Sequence, residues 1–243
     1  MVTKNQIKLI TSLGQKKQRS KYQLFVVEGK KAVDEFLKSS YTLNHLFAVT
    51  DTYNVAADQF SLITNTELKK ISALTTPQEV LAIFEIPETH KIVANKLTVA
   101  LDAVRDPGNL GTIIRLCDWF GVEQIVCSYT TVDCYNPKVV QATMGSLSRV
   151  QVSYVDLEEF LRSTHGQKFG TFMDGNNVYD TALPKDGILI MGNEGSGISD
   201  KIESLVDHRL SIPSFSVHQS TESLNVATAT AILLSEFKRR GEV

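Results

Sequence analysis

The chain has 243 residues, 42% of them hydrophobic and 21% charged, with a formal net charge of −2. That size allows one large domain or two modest ones, and the composition excludes disordered, collagen-like and strongly basic tail-type chains. No apolar run reaches the length of a membrane span, and Met1–Ile10 lacks the apolar core and cleavage site of a secretory signal.

Residues 1–21 hold six basic side chains (Lys4, Lys8, Lys16, Lys17, Arg19, Lys21) and no acid. Such a segment reads either as a footprint for nucleic-acid phosphates or as a solvated helix face, and charge alone favours the second. Leu24–Val27 is a short strand closed by Glu28-Gly29, followed by an amphipathic stretch to Leu37. His45–Thr50 is a second strand. Thr64 with Glu67 three residues on has the form of a capping box opening a helix through Leu74. Glu79–Ile86 is a third strand, ended by Pro87. The polar segment Glu88–Asn95 reads as a linker, which places a boundary near residue 92.

The second half repeats the alternation. Leu97–Val104 is a strand, followed by a Pro-Gly loop and a helix from Leu110 to Phe120. Then come a strand at Gln124–Ser128, a helix at Pro137–Leu147, a strand at Val150–Val155 and a helix at Leu157–Ser163. Phe169–Met173, Ile188–Met191 and Arg209–Ile212 are further strands, with a short helix near Asp200–Val206. Ser223–Arg240 is a long last helix whose Lys238, Arg239 and Arg240 suit the negative end of its dipole. Strands alternating with helices imply crossover units and mostly parallel sheets, so the expected fold class is α/β twice over.

In open parallel sheets, ligands bind on the loops beyond the carboxyl ends of the strands. Three such loops have unusual composition. Arg105-Asp106-Pro107-Gly108-Asn109-Leu110-Gly111 offers two glycines for a sharp turn and an amide that both donates and accepts, with Arg115 one helical turn later. Ordinary turn chemistry and a surface arginine would read the same. Met191-Gly192-Asn193-Glu194-Gly195-Ser196-Gly197 has three glycines in the order GxxGxG, not the dinucleotide GxGxxG. Its Glu194 would repel a phosphate and suits a cationic or neutral ligand. Ile212-Pro213 leads by a polar loop to Ser223-Leu224-Asn225-Val226, with Ser223 the expected cap of the last helix.

Other chemistries lack their residues. His45, His90, His165, His208 and His218 are scattered, without metal spacing. There is no GxSxG elbow and no GxxxxGK[ST] loop. Cys117, Cys127 and Cys134 are odd in number and lack CxxC spacing, which fits a reducing cytoplasm. Cys117, Trp119 and Phe120 read as core on the helix they share.

Taken in order, Asn109-x-Gly111-x-x-x-Arg115, Met191-Gly192-x-Glu194-Gly195-x-Gly197, Ile212-Pro213 and Ser223-Leu224-Asn225-Val226 resemble the three motifs of the SpoU (TrmH-type) RNA 2′-O-ribose methyltransferases of the SPOUT superfamily. Lys17-x-Arg19 with Phe25-Val26-Val27-Glu28-Gly29 resembles that family's RNA-substrate-binding domain, so the resemblance covers nearly the whole chain. The nine residues 214–222 between Pro213 and Ser223 are longer than the family's spacing and lack its glycine.

The resemblance implies a small N-terminal α/β/α RNA-binding domain over residues 1–92 and a C-terminal parallel-sheet domain with a trefoil knot over residues 93–243. It implies S-adenosyl-L-methionine as cofactor, ribosomal or transfer RNA as substrate, a cytoplasmic homodimer, and no metal or membrane. Carried over position by position, Gly192, Ile212 and Leu224 hold the cofactor. Asn109, Arg115, Glu194, Ser223 and Asn225 are the polar catalytic positions, and Lys16, Lys17 and Arg19 face RNA. A Gly-rich loop bearing Glu194 is electrostatically sensible for a sulfonium cation. Arginine is almost never neutral, so Arg115 is expected to clamp a phosphate and stabilise an alkoxide rather than act as a base. The last helix, rich in small residues over Ala227–Leu234, is expected in the dimer interface. An RNA-binding dimer without turnover is the alternative reading, and a nicotinamide-dependent oxidoreductase is disfavoured by the glycine order.

Overall fold

A computed structural model describes residues 1–88, 92–93, 96–216 and 223–241. In chain order the elements are α1 (Lys4–Ser12), α2 (Lys16–Tyr22), β1 (Leu24–Glu28), α3 (Lys30–Leu37), β2 (Leu43–Ala48), β3 (Phe60–Leu62), α4 (Asn65–Ile71) and β4 (Val80–Glu85). There follow β5 (Leu97–Leu101), α5 (Pro107–Trp119), β6 (Gln124–Ser128), α6 (Pro137–Thr143), β7 (Gln151–Val155) and α7 (Leu157–Ser163). The last are β8 (Lys168–Asn177), β9 (Gly187–Met191), α8 (Asp200–Glu203), β10 (His208–Ser211) and α9 (Val226–Gly241).

Two compact units result, and they interleave along the chain. The first comprises Met1–Thr89 together with Asp133–Ser148; the second comprises His90–Val132 and Arg149–Val243. The expected boundary near residue 92 falls in a linker of which residues 89–91 and 94–95 lie outside the described residues. A division into two consecutive pieces does not capture the segment Asp133–Ser148, which packs with the first unit.

The first unit is built on a four-stranded sheet in the order β1-β4-β2-β3. Only β2 and β3 are parallel; β4 inserts between β1 and β2 and runs antiparallel to both. The expectation of a mostly parallel sheet is therefore corrected here. Helix–strand alternation does not report strand direction, and β4 reverses after α4. Thr64 and Glu67 do form a reciprocal capping box at α4, each side chain bonding the other residue's backbone N–H. Phe25, Phe36 and Phe84 are fully buried and pack edge-on or tilted, with Tyr135 of the late segment 4.6 Å from Phe25 between ring centres.

The second unit holds a six-stranded sheet in the order β10-β8-β9-β5-β6-β7, every pairing parallel. Its central strands β5, β6 and β9 are buried along their whole length. Their near-continuous apolar runs are what a parallel sheet covered on both faces requires. Consecutive strands leave all their carboxyl ends on one edge, where the three unusual loops emerge.

Helix α5 starts at Pro107, three residues earlier than expected. Asp106 caps it, accepting from the Asn109 N–H at 2.8 Å, and Pro107 occupies the first turn where no donor is needed. Gly108 and Gly111 therefore lie inside a helix and not in a turn. Helix α6 ends at Thr143, earlier than expected, because Met144 and Gly145 both take positive φ (53° and 97°). A side chain at Gly145 would also meet Glu35 at 2.9 Å, so glycine is required there twice over. Trp119 is 84% exposed, against the expectation of core, whereas Cys117 two residues earlier is fully buried. The helix period separates them: Cys117 lies on the inner stripe and Trp119 on the outer one.

Candidate active site

The loop after β9 folds tightly back on itself. Asn193 and Gly197 exchange both backbone hydrogen bonds, at 2.8 and 3.0 Å. A side chain at Gly192 would come within 2.2 Å of the Gly197 carbonyl carbon, so the close approach that demands glycine there is by the loop's own backbone. Asn193 is the hub of this turn. Its Oδ1 accepts from the N–H groups of Gly195 and Ser196, and its Nδ2 donates to the Ala103 carbonyl at 2.7 Å. That bond ties the loop after β9 to the loop after β5, where Ala103 holds a φ of 57°, a sparsely populated conformation for a residue with a side chain.

Glu194 projects from the same turn and binds the segment after β5. Its carboxylate accepts from the Asn109 side-chain amide at 3.0 Å and from the backbone N–H groups of Arg105 and Asp106 at 3.4 and 3.3 Å. The Asn109 Oδ1 in turn accepts from the Asn225 amide at 2.9 Å. Partial burial works against the charge on Glu194. The hydrogen bonds from Asn109 and the neighbouring backbone outweigh it and hold the carboxyl below its usual range. Asn109, Glu194 and Asn225 thus meet across 85 and 116 residues of sequence.

Asn225 does a second job that the sequence assigned to Ser223. Its Oδ1 accepts from the N–H groups of Ala227 and Thr228, so it caps α9, which begins at Val226. Ser223 is exposed and precedes the helix by two residues more than a cap does. The substitution of one for the other is a matter of register, since Ser and Asn cap equally well.

Arg115 is not drawn into this network. It is exposed on α5 and makes no hydrogen bond or ion pair to any described residue. Six residues at about 100° each put it roughly 120° around the helix from Asn109, whereas Trp119, four residues on, shares its face. Gly192 is buried at the end of β9, Ile212 is half-buried just past β10, and Leu224 is 47% exposed beside Asn225. All three sit at or beyond the carboxyl edge of the sheet. Residues 217–222 of the lengthened loop lie outside the described residues.

In the first unit, Lys16 and Lys17 are exposed on α2, but Arg19 is 2% exposed. Its guanidinium donates to Asp133 at 3.0 Å through Nε and to the Leu13 and Gly14 carbonyls at 2.8 and 3.0 Å. Those bonds commit its donors to protein, so the RNA-facing role expected for Arg19 does not fit.

Asn193 and Asp102 also hold the site together, though neither is among the motif residues. Buried Asp102 accepts from both the N–H and the hydroxyl of Ser199, at 2.8 and 2.7 Å, and so fixes the far end of the glycine loop to β5. An Asn between Gly and Glu directly after an apolar strand was the available signal for Asn193. Asp102 had none, because its partner is remote in sequence. Among the described residues no cluster of His, Cys, Asp and Glu forms a metal site, and no helix is long and apolar enough to cross a membrane.

Comparison with known proteins places these loops. Residues 96–235 match the model of the SpoU rRNA Methylase family, and residues 4–82 match the MRM3-like substrate binding domain. The chain belongs to the SpoU rRNA methylase family. It is 33% identical to the 23S rRNA (guanosine(2553)-2′-O)-methyltransferase RlmP of Bacillus subtilis, over 95% of each chain. Among solved structures, a TrmH-family protein from Porphyromonas gingivalis is 39% identical, with a TM-score of 0.91 over 99% of this chain and all of that one. An AdoMet-bound rRNA methyltransferase from Sinorhizobium meliloti is 29% identical, with a TM-score of 0.85 over 98% of this chain and 96% of that one. The family's trefoil knot is implied for this SpoU member by its membership.

Proposed function

We propose that this SpoU-family chain, an S-adenosylmethionine-dependent RNA ribose 2′-O-methyltransferase, acts on ribosomal RNA as a cytoplasmic homodimer. The observation that carries the reading is the Asn109–Glu194–Asn225 interlock, which brings the three motif segments into one hydrogen-bonded centre. The residues present fit the cofactor. Glu194 is kept ionised near the surface, which suits a sulfonium cation, and Ile212 and Leu224 leave apolar surface uncovered. Gly192, Ile212 and Leu224 hold S-adenosylmethionine, which supplies the methyl group when bound.

The chain's own residues have two tasks: to orient the ribose and to make its alkoxide less costly. Asn109, Glu194 and Asn225 fix the loops around the reacting hydroxyl, with Ser223 exposed beside them. Pre-set geometry of this kind is worth several orders of magnitude in rate. Arg115 has an uncommitted guanidinium that clamps a substrate phosphate and stabilises the developing negative charge. A guanidinium is too weak a base to take the hydroxyl proton, which passes to solvent water.

The face that Arg115 shares with Trp119 supports the homodimer reading. An indole 84% exposed on a helix is covered at low cost by a second copy, and α9 packs beside α5 with Ala229, Ala231 and Ile232 only half-buried. Lys16 and Lys17 contact RNA phosphates from the first unit. Three buried cysteines suit the reducing cytoplasm.

The test uses tritiated S-adenosylmethionine with separate unmodified ribosomal and transfer RNA pools, followed by alkaline hydrolysis. Label in dinucleotides from ribosomal RNA is expected, because a 2′-O-methyl group blocks cleavage at its own phosphodiester. Label in mononucleotides would mean base methylation and overturn the mechanism. A monomer at micromolar concentration would overturn the dimer.

A further inference from the structure

Beyond the motif residues, the turn after β6 holds an aromatic side chain that the network does not use. Tyr129 follows Ser128, the last residue of β6, and is 67% exposed. The turn beneath it is closed by the Thr131 N–H to the Ser128 carbonyl at 3.0 Å. The Ser128 hydroxyl lies 3.0 Å from that of Thr130 and 3.1 Å from that of Thr131, and the Thr131 hydroxyl donates to the Leu101 carbonyl at 3.1 Å. Ser128 Oγ also accepts from the Ala103 N–H at 2.9 Å. Because the Ala103 carbonyl accepts from Asn193, a continuous set of hydrogen bonds runs from the Glu194 loop to the turn that carries Tyr129.

The ring of Tyr129 is large, apolar on both faces and wet, and the backbone that carries it is fixed by these hydrogen bonds. An exposed aromatic on an anchored turn at the candidate site's edge of the sheet is placed for contact. β6 pairs directly with β5, so this turn emerges on the same carboxyl edge as the loop bearing Asn109. RNA is recognised largely through unstacked bases laid against aromatic side chains. We propose that Tyr129 is a substrate-positioning residue, stacking against a base of the RNA next to the nucleotide whose ribose is methylated. The inference rests on the methyltransferase reading and deepens it. Tyr129 does not touch the reacting hydroxyl; it holds the strand so that Asn109 and Arg115 meet the correct ribose.

The experiment compares wild type with Tyr129→Ala and Tyr129→Phe on unmodified ribosomal RNA. It measures RNA binding, KM for RNA, KM for S-adenosylmethionine and kcat. Loss of one base stack predicts that Tyr129→Ala weakens RNA binding and raises its KM by about tenfold. KM for S-adenosylmethionine stays as in wild type, and Tyr129→Phe restores RNA binding to within about twofold, because the stack uses the ring and not the hydroxyl. Unchanged RNA affinity in Tyr129→Ala overturns the proposal while leaving the enzyme reading intact. Equal losses in Ala and Phe overturn stacking in favour of a hydroxyl contact. If wild type leaves ribosomal RNA unlabelled, that substrate reading fails first. The variants are then compared for binding to transfer RNA, where equal affinities overturn Tyr129 as well.

Discussion

The molecule contains two polar clusters that each tie together segments far apart in sequence, and they differ in what burial leaves available. Arg19 and Asp133, 114 residues apart, meet inside the first unit, with side chains 2% and 15% exposed. Each of the three guanidinium nitrogens donates to protein. Asn109, Glu194 and Asn225 are joined over similar distances but remain at the surface, with Arg115 exposed and uncommitted on the same helix as Asn109. Polar side chains therefore act as a buried structural rivet in one place and form the solvent-facing candidate site in the other. Polarity alone does not separate the two; the partners and the solvent do.

Replacing Arg19 with Met should break the buried cluster most severely. Removing one member of a buried pair leaves the other charge uncompensated and costs about 3–5 kcal/mol. Denaturant unfolding should show that loss, while the activity of the remaining folded enzyme at low temperature stays near that of wild type.

Arg115→Ala should do the reverse. Loss of one transition-state charge stabiliser lowers kcat by about 10²–10³-fold. The thermal midpoint should hold, because no described residue depends on Arg115. Arg115→Lys retains part of the activity if the role is charge, and none if the two-pronged geometry is indispensable.

A smaller effect distinguishes the clusters by pH. The Glu194 carboxyl is held below its ordinary value of 4.5 in the fold. The stabilisation its charge gives is complete above that ordinary value and is lost as pH falls through the lower folded one. Activity should therefore be insensitive to this group near neutrality and fall only in acid. Glu194→Gln should remove that acid limb together with part of the basal rate. A midpoint near neutrality for the same limb in wild type would contradict this assignment.

The smallest effect belongs to the exposed lysines. Lys16→Ala and Lys17→Ala should each weaken RNA binding a few-fold, uniformly across sequences, and reduce its salt dependence by about one counterion. Stability should change by no more than about 0.5 kcal/mol in either variant, as is usual for exposed side chains.

Much of the fold was legible in the pattern. Buried strands such as β6 and short amphipathic helices such as α7 appear at the residues expected, because their periodicity is a local property. The three motif loops were legible as unusual, and glycine order together with Glu194 pointed away from phosphate. Partnership was not legible. Arg19 reads as one more cation in a basic segment until Asp133 is placed beside it. Ser223 reads as a cap until the helix is found to begin after Asn225, two residues on. Trp119 reads as core because hydrophobicity names a residue's preference and not the presence of a partner to satisfy it.

The interleaving of the units bears on the order in which the chain becomes stable during synthesis. The first sheet is complete once β4 has been made, yet Asp133 and Tyr135 belong to the same unit and leave the ribosome later, after β5, α5 and β6. Until then Arg19 lacks its counter-charge and Phe25 one of its aromatic neighbours. The N-terminal unit thus has its full set of contacts only when residues 133–148 have been made. A fragment ending at residue 92 would leave Arg19 without Asp133 and Phe25 without Tyr135.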